Sequence, residues 1–186
     1  MPEVTSRADL FQALAQGESL DGIRRRFRLS PEELQELFRE VADHYRKAEE
    51  GFWSLYSDGA SRGNPGPAGA GFILLDPGGE IRAQAGHYLG VATNNVAEYR
   101  GLLLGLKAAH KLGILKLHVF SDSELLVRQL NGSYRVKAPH LLPLWREAQK
   151  ELQKFQAHAI THVLREQNSG ADALANRAID RKSPTG

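Results

Sequence analysis

Phe52-Trp53-Ser54-Leu55-Tyr56-Ser57-Asp58-Gly59 is an aromatic and apolar run with polar interruptions, halted by an acid and a glycine. That is the pattern of a partly buried strand running into a turn. Downstream, Ala70–Leu75 reads as a second strand, and Asp76-Pro77-Gly78-Gly79 is turn chemistry that returns the chain into an antiparallel third strand over Glu80–Leu89. Val96–Leu112 is helical, with Leu102, Leu103, Leu106 and Ala109 on one face, and Gly113 ends it. Leu115, Leu117 and Val119 alternate in a fourth strand that stops at Asp122. Short helices follow over Ser123–Leu130 and Pro139–Phe155, then a fifth strand over Ala159–Leu164 and a last helix over Ala171–Ile179. The order β-β-β-α-β-α-α-β-α predicts an α/β fold: a mixed five-stranded sheet flanked by helices, with an antiparallel meander extended by parallel strands.

Upstream, the character of the chain changes. Residues 1–50 hold 8 basic and 11 acidic residues, a balance of −3, against 16 basic and 11 acidic in the remainder. Two of the 18 glycines fall in that first stretch. Leu10, Phe11 and Leu14 form a helical stripe that stops near Gly17, and Leu20, Ile23 and Phe27 form a second. Ser30-Pro31 with Glu33 reads as a capping box that opens a third helix carrying Leu34, Leu37, Phe38 and Val41. The expected organisation is a small all-α module over 1–47, a linker over 48–51, the α/β domain over 52–181 and a tail over 182–186. Three short helices suggest a helix-turn-helix, but the third opens with Glu32, Glu33 and Glu36, which would repel phosphate. A docking or structural module is the stronger reading, with Arg24-Arg25-Arg26 and Arg28 as its one basic feature.

Composition narrows the function classes. The chain has 186 residues, 41% of them hydrophobic and 25% charged, which is globular composition. No apolar run approaches the roughly 20 residues of a membrane span, and Met1-Pro2-Glu3-Val4-Thr5 lacks the layout of a secretory signal. Zero Cys excludes disulfides, thiolate catalysis and Cys-ligated zinc, and fits a reducing cytoplasm. Asp58, Glu98, Asp122 and Asp172 sit where packing does not need them: after a strand, in the first turn of a helix, after another strand, and near the start of the last helix. Each alone reads as a turn or a helix cap. Brought together they would repel unless a cation neutralised them, and hard oxygen ligands favour Mg²⁺ or Mn²⁺ over zinc.

The surroundings of these acids resemble a known family. Asp58-Gly59-Ala60-Ser61-Arg62-Gly63-Asn64-Pro65-Gly66-Pro67-Ala68-Gly69-Ala70-Gly71, Thr93-Asn94-Asn95-Val96-Ala97-Glu98, Phe120-Ser121-Asp122-Ser123 and Asn168-Ser169-Gly170-Ala171-Asp172-Ala173-Leu174-Ala175 are similar, in order, to the four motifs of ribonuclease HI. The resemblance covers about residues 52–180. It implies a ribonuclease H-like fold and an enzyme that cleaves the RNA strand of RNA–DNA hybrids with two divalent ions, Mg²⁺ or Mn²⁺, leaving 5′-phosphate and 3′-hydroxyl ends. It also implies that Asp58, Glu98, Asp122 and Asp172 are the catalytic metal ligands. Asp58 would bridge both ions, Asp172 would hold the one beside the attacking water, and Glu98 and Asp122 the one beside the leaving oxygen. Gly59, Asn64, Thr93, Asn94 and Asn95 are implied hybrid contacts, since only RNA offers a 2′-hydroxyl to backbone groups and amides.

The chain departs from the best-known members in several places. The loop Leu164-Arg165-Glu166-Gln167-Asn168-Ser169 is short and has no His, leaving Arg165, Glu166 and Asn168 as auxiliary candidates. His162 falls within the fifth strand. Val96 stands where many members carry Arg, and the long basic handle is missing, with only Arg135 and Lys137 as a basic edge. The N-terminal module is therefore expected to aid substrate binding or dock a protein, in a cytoplasmic monomer. Two other readings keep the fold: action on double-stranded RNA or another nucleic-acid structure, and hybrid binding without catalysis. Retention of all four acids weighs against the second, because a binder gains nothing from negative charge facing phosphate.

Overall fold

The computed structural model describes residues 7–182, so Met1–Ser6 and the tail from residue 183 onward lie outside the described residues. The chain divides into two compact units, Met1–Lys47 and Ala48–Gly186.

In the first unit, α1 (Arg7–Ala15), α2 (Leu20–Phe27) and α3 (Pro31–Glu50) follow one another through tight joints. The capping box is formed in full. Ser30 N–H donates to Glu33 Oε2 at 2.7 Å, and Glu33 N–H donates to Ser30 Oγ at 3.1 Å. Leu10, Ala13 and Ile23 make the core, with Phe11, Leu14, Phe27, Leu29 and Leu37 packed against them. Arg28 closes α2 in the left-handed conformation, φ 55°, which lets the chain turn into α3 after two more residues. Helix α3 runs on to Glu50, so three of the four residues expected as linker are helical. The helix formers Lys47, Ala48, Glu49 and Glu50 give it no reason to stop earlier.

In the second unit, β1 (Trp53–Ser61), β2 (Gly66–Leu75), β3 (Ile81–Ala92), β4 (Lys116–Ser121) and β5 (Ala157–His162) form one sheet in the order β3-β2-β1-β4-β5. β1–β2 and β2–β3 are antiparallel, while β1–β4 and β4–β5 are parallel. Helices α4 (Asn94–Lys111), α5 (Glu124–Leu130), α6 (Leu142–Leu152) and α7 (Ser169–Arg181) complete the mixed α/β architecture. Leu55, Leu74, Leu102, Leu106, Leu117 and Val119, all fully buried, form the centre of the core.

Several boundaries differ from the sequence expectation. β1 does not end at Asp58 but continues to Ser61, because Asp58–Ser61 pair with Ala68–Gly71 of β2. Asp58 is therefore inside a strand. β5 begins two residues earlier than expected and stops at His162; Leu164, 66% exposed, has no surface to pack on as strand. The 3₁₀ turn Arg165–Asn168 fills the gap before α7. α6 runs over Leu142–Leu152 and is shorter at both ends than the expected Pro139–Phe155.

Candidate active site

The four acids reach one pocket from four elements. β1 and β4 run side by side in register from Trp53↔Leu117 to Tyr56↔Phe120, and continuing that register two residues places Asp58 level with Asp122. Glu98 comes from the part of α4 that meets β1 main chain to main chain at Gly59 and Gly101. A Cβ on Gly59 would stand 2.1 Å from Ala97 C and Glu98 N, and one on Gly101 would stand 2.3 Å from Asp58 O. Asp172 comes from the first turn of α7, whose backbone presses on β2 in the same way. There a Cβ on Gly71 would stand 2.4 Å from Ala171 O. The pocket, of about 260 Å³, is lined by Asp58, Glu98, Asp122 and Asp172 together with Asn94, Ser123, Arg165 and Asn176.

Each carboxylate has its own donor. Gly59 N–H donates to Asp58 Oδ1 at 2.8 Å. Asn94 Nδ2 donates to Glu98 Oε1 at 2.8 Å, and Ser123 Oγ donates to Glu98 Oε2 at 2.6 Å. Asn168 Nδ2 donates to Asp122 Oδ1 at 2.6 Å and to Ser57 O at 3.1 Å. Arg165 Nη2 donates to Asp172 Oδ1 at 3.2 Å.

Burial and, after it, mutual repulsion act on the acids. Burial, and after it the charge of Asp122, pushes the Asp58 carboxyl up to about 8, with Asp172 and Glu98 adding to the push and the Gly59 N–H opposing it. Burial also raises Glu98, and Asp122 adds to that, while the bonds from Ser123 and Asn94 hold it down. Among the described residues, no three acid or histidine side chains stand together as a ready-made metal cage.

The remaining expected site residues fall in different places. Thr93 is the N-cap of α4, its Oγ1 accepting from Val96 N–H at 3.4 Å, so Asn94 and Asn95 are both helical and neither is the cap. With α4 starting at Asn94, Glu98 lies just past the first turn rather than in it. Asn64 is exposed and accepts Asn94 N–H at 3.2 Å, tying the β1–β2 turn to α4. Gly59 is buried, and its N–H donates to Asp58 Oδ1. Glu166 is exposed in the 3₁₀ turn. His162 sits at the end of β5 with Nε2 3.2 Å from the Asp122 carbonyl. Ser123 and Asn176 were not singled out from the sequence. Ser123 reads as a helix cap, and it is one, its Oγ accepting from Leu126 N–H at 3.3 Å; its second bond, to Glu98, is visible only in three dimensions. Asn176 follows Asp172 by one helical turn and donates to its carbonyl at 3.0 Å.

The family described as reverse transcriptase-like matches residues 56–178. Ribonuclease HI of Halobacterium salinarum is 45% identical over 125 residues, covering 67% of this chain; the chain spans 63% of that relative's length. The crystal structure of RNase H1 from the same archaeon superposes with a TM-score of 0.69 at 44% identity, covering 70% of this chain and 99% of that one. The structure of LC11-RNase H1 in complex with an RNA/DNA hybrid superposes with a TM-score of 0.67 at 37% identity, covering 70% of this chain and 98% of that one.

Proposed function

Because the chain belongs to the ribonuclease H family, we propose that it is a metal-dependent endoribonuclease that hydrolyses the RNA strand of RNA–DNA hybrids, leaving 5′-phosphate and 3′-hydroxyl ends. The observation that carries this reading is the convergence of Asp58, Glu98, Asp122 and Asp172 on one pocket, where burial and then the neighbouring acids push Asp58 up to about 8. Such crowding costs stability in the protein alone and is relieved by hard divalent cations, so the donor set fits Mg²⁺ or Mn²⁺ held by these four side chains. A pair of such ions, when bound, supplies a nucleophile at neutral pH and cover for the charge that builds on the phosphate and the leaving oxygen.

The chain's own residues hold that arrangement. Asn94 and Ser123 fix both oxygens of Glu98, Asn168 fixes Asp122, and the Gly59 N–H orients Asp58. The Asn64–Asn94 bond joins the exposed Arg62–Pro65 turn to the same helix, so a turn reading the 2′-hydroxyl in the minor groove is tied to the acids it serves. Asn64 and Asn95 are the proposed amide contacts, with Thr93 and Asn94 acting through the helix start. The likeness to a relative whose structure holds an RNA/DNA hybrid supports the substrate. For the first unit we propose help in substrate binding from Arg24 and Arg25, which line a cavity of about 350 Å³ with Asp21 and Leu29. Docking of a protein is the other reading, favoured by Glu32 and Glu33 in the first turn of α3. Among the described residues no helix is long and apolar enough to cross a membrane. A cytoplasmic monomer is the proposed working state.

The test incubates the protein with labelled RNA–DNA hybrid, double-stranded RNA and double-stranded DNA, each with Mg²⁺, Mn²⁺ or chelator. Hybrid-selective cleavage that Asp58→Asn or Asp122→Asn abolishes is expected. Cleavage of duplex RNA alone would establish the substrate alternative, and binding without cleavage under every metal condition would establish the non-catalytic one.

A further inference from the structure

Asp172 differs from the other three acids in the company it keeps. Among the described residues, Asp58, Glu98 and Asp122 take their hydrogen bonds from neutral groups: a backbone N–H, an amide and a hydroxyl, and an amide. Those donors stay in place when a cation arrives, since a carboxylate has about four lone-pair sites to share. Asp172 instead takes its bond from a guanidinium, that of Arg165, at 3.2 Å.

The seat of that guanidinium is the 3₁₀ turn Arg165–Asn168, which has one fixed end and one free end. Asn168, 1% exposed, is anchored to Ser57 O and Asp122 Oδ1. Leu164 N–H and Gln167 close the turn on themselves, with Leu164 N–H donating to Gln167 Oε1 at 3.1 Å and Gln167 N–H donating to Leu164 O at 2.9 Å. Arg165 at the other end has a side chain 75% exposed, against 26% for Asp172. Water is therefore ready to receive the guanidinium when it leaves.

We propose that Arg165 is a resident counter-cation of the pocket, which Asp172 exchanges for a divalent ion when the site loads. This rests on the metal reading above. A divalent ion cannot share Asp172 closely with a guanidinium without like-charge repulsion, so binding on that side breaks the Arg165–Asp172 pair. The ion held mainly by Asp58, Glu98 and Asp122 meets no such competitor. Loading is then ordered, the Glu98 side first and the Asp172 side second. An exposed ion pair of this kind is weak, so the exchange weakens the second site by about two- to five-fold.

The experiment is calorimetric titration of the full chain with Mn²⁺, free of substrate, for the wild type, Arg165→Ala, Arg165→Gln, Asp172→Asn and the Arg165→Ala/Asp172→Asn double variant. Circular dichroism confirms that each is folded. The expected result is about two- to five-fold tighter binding at the weaker site in both Arg165 variants, an unchanged stronger site, and no effect of Arg165→Ala once Asp172 is Asn. Equal tightening of both sites, or an effect that survives in the Asp172→Asn background, would reduce Arg165 to a general charge and overturn the exchange. Unchanged or weaker binding in the Arg165 variants, with wild-type binding intact, would overturn it while leaving the metal reading standing. Absence of Mn²⁺ binding by the wild type would overturn both.

Discussion

Asn168 donates to Asp122 at 2.6 Å from a side chain that is itself almost wholly buried. The same amide reaches the Ser57 carbonyl, so one side chain ties Asp122 to the strand that carries Asp58. Asn168→Ala should destabilise the protein by about 2–4 kcal/mol, the worth of one charged and one neutral hydrogen bond. It should also lower kcat more than it raises KM, because Asp122 loses its orientation while the substrate surface stays. Denaturant unfolding and steady-state kinetics on a hybrid check this; an unchanged kcat would make Asn168 purely structural.

Gly59→Ala tests the contact between β1 and α4. A methyl group there meets Ala97 C and Glu98 N at 2.1 Å, and both belong to backbone, so the helix itself has to move. Destabilisation of about 3 kcal/mol or more is expected, from overpacking at a site that cannot yield. Activity of the folded fraction should fall steeply as Glu98 moves away from Asp58. Ala at Gly113, where a Cβ meets nothing within 4 Å, is the control: φ there is +71°, so it strains the backbone without touching the site.

The raised Asp58 carboxyl gives a pH signature. The folded protein keeps this proton up to about pH 8, whereas the unfolded chain loses it near 3.8. Folded protein therefore binds more protons across that window, and stability without metal falls as pH rises from about 4 to 8. Asp58→Asn removes the penalty. In chelator it should match the wild type near pH 4 and exceed it at pH 8 by an amount on the order of a few kcal/mol. Divalent metal should stabilise the wild type more at pH 8 than at pH 5. Thermal melts across pH, with Mg²⁺ or chelator, read both effects.

Ser123→Ala removes the 2.6 Å bond to Glu98 Oε2 and the cap of α5 together, whereas Ser123→Thr keeps the hydroxyl that donates to Glu98 and accepts from Leu126 N–H. The Ala variant should lose about tenfold in kcat or more, in line with a hydrogen bond to a charged group, and Thr should restore most of it. Equal loss in Thr and Ala would point instead to crowding at the α5 start.

The strand–turn–helix rhythm and the four acids were legible because they are local or motif-borne. Asp76-Pro77-Gly78-Gly79 declares its turn, and Ser30-Pro31 with Glu33 declares a helix start that the hydrogen bonds reproduce atom for atom. What stayed hidden depends on contacts between distant segments. Nothing near Asp58 says that β1 should continue; that is decided by the pairing of Ala60 with Gly69 and of Ser61 with Ala68. Gly59 looks like a turn residue, yet what demands it is the backbone of Ala97, 38 positions along. The pairing of Arg165 with Asp172 is likewise invisible in a loop notable mainly for lacking a histidine.

The approach of α4 to β1 through Gly59 and Gly101 sets the gauge of the acid pocket by main chain against main chain, with no rotamer in between at those two positions. Slack introduced deeper in the hydrophobic interior, for instance by trimming Leu102 or Leu106, should therefore lower the melting temperature yet leave the rate per intact molecule nearly constant. Apolar volume can thus be lost from the core with little effect on the chemistry, whereas the two hydrogen atoms that stand as side chains at Gly59 and Gly101 leave no room for a methyl group.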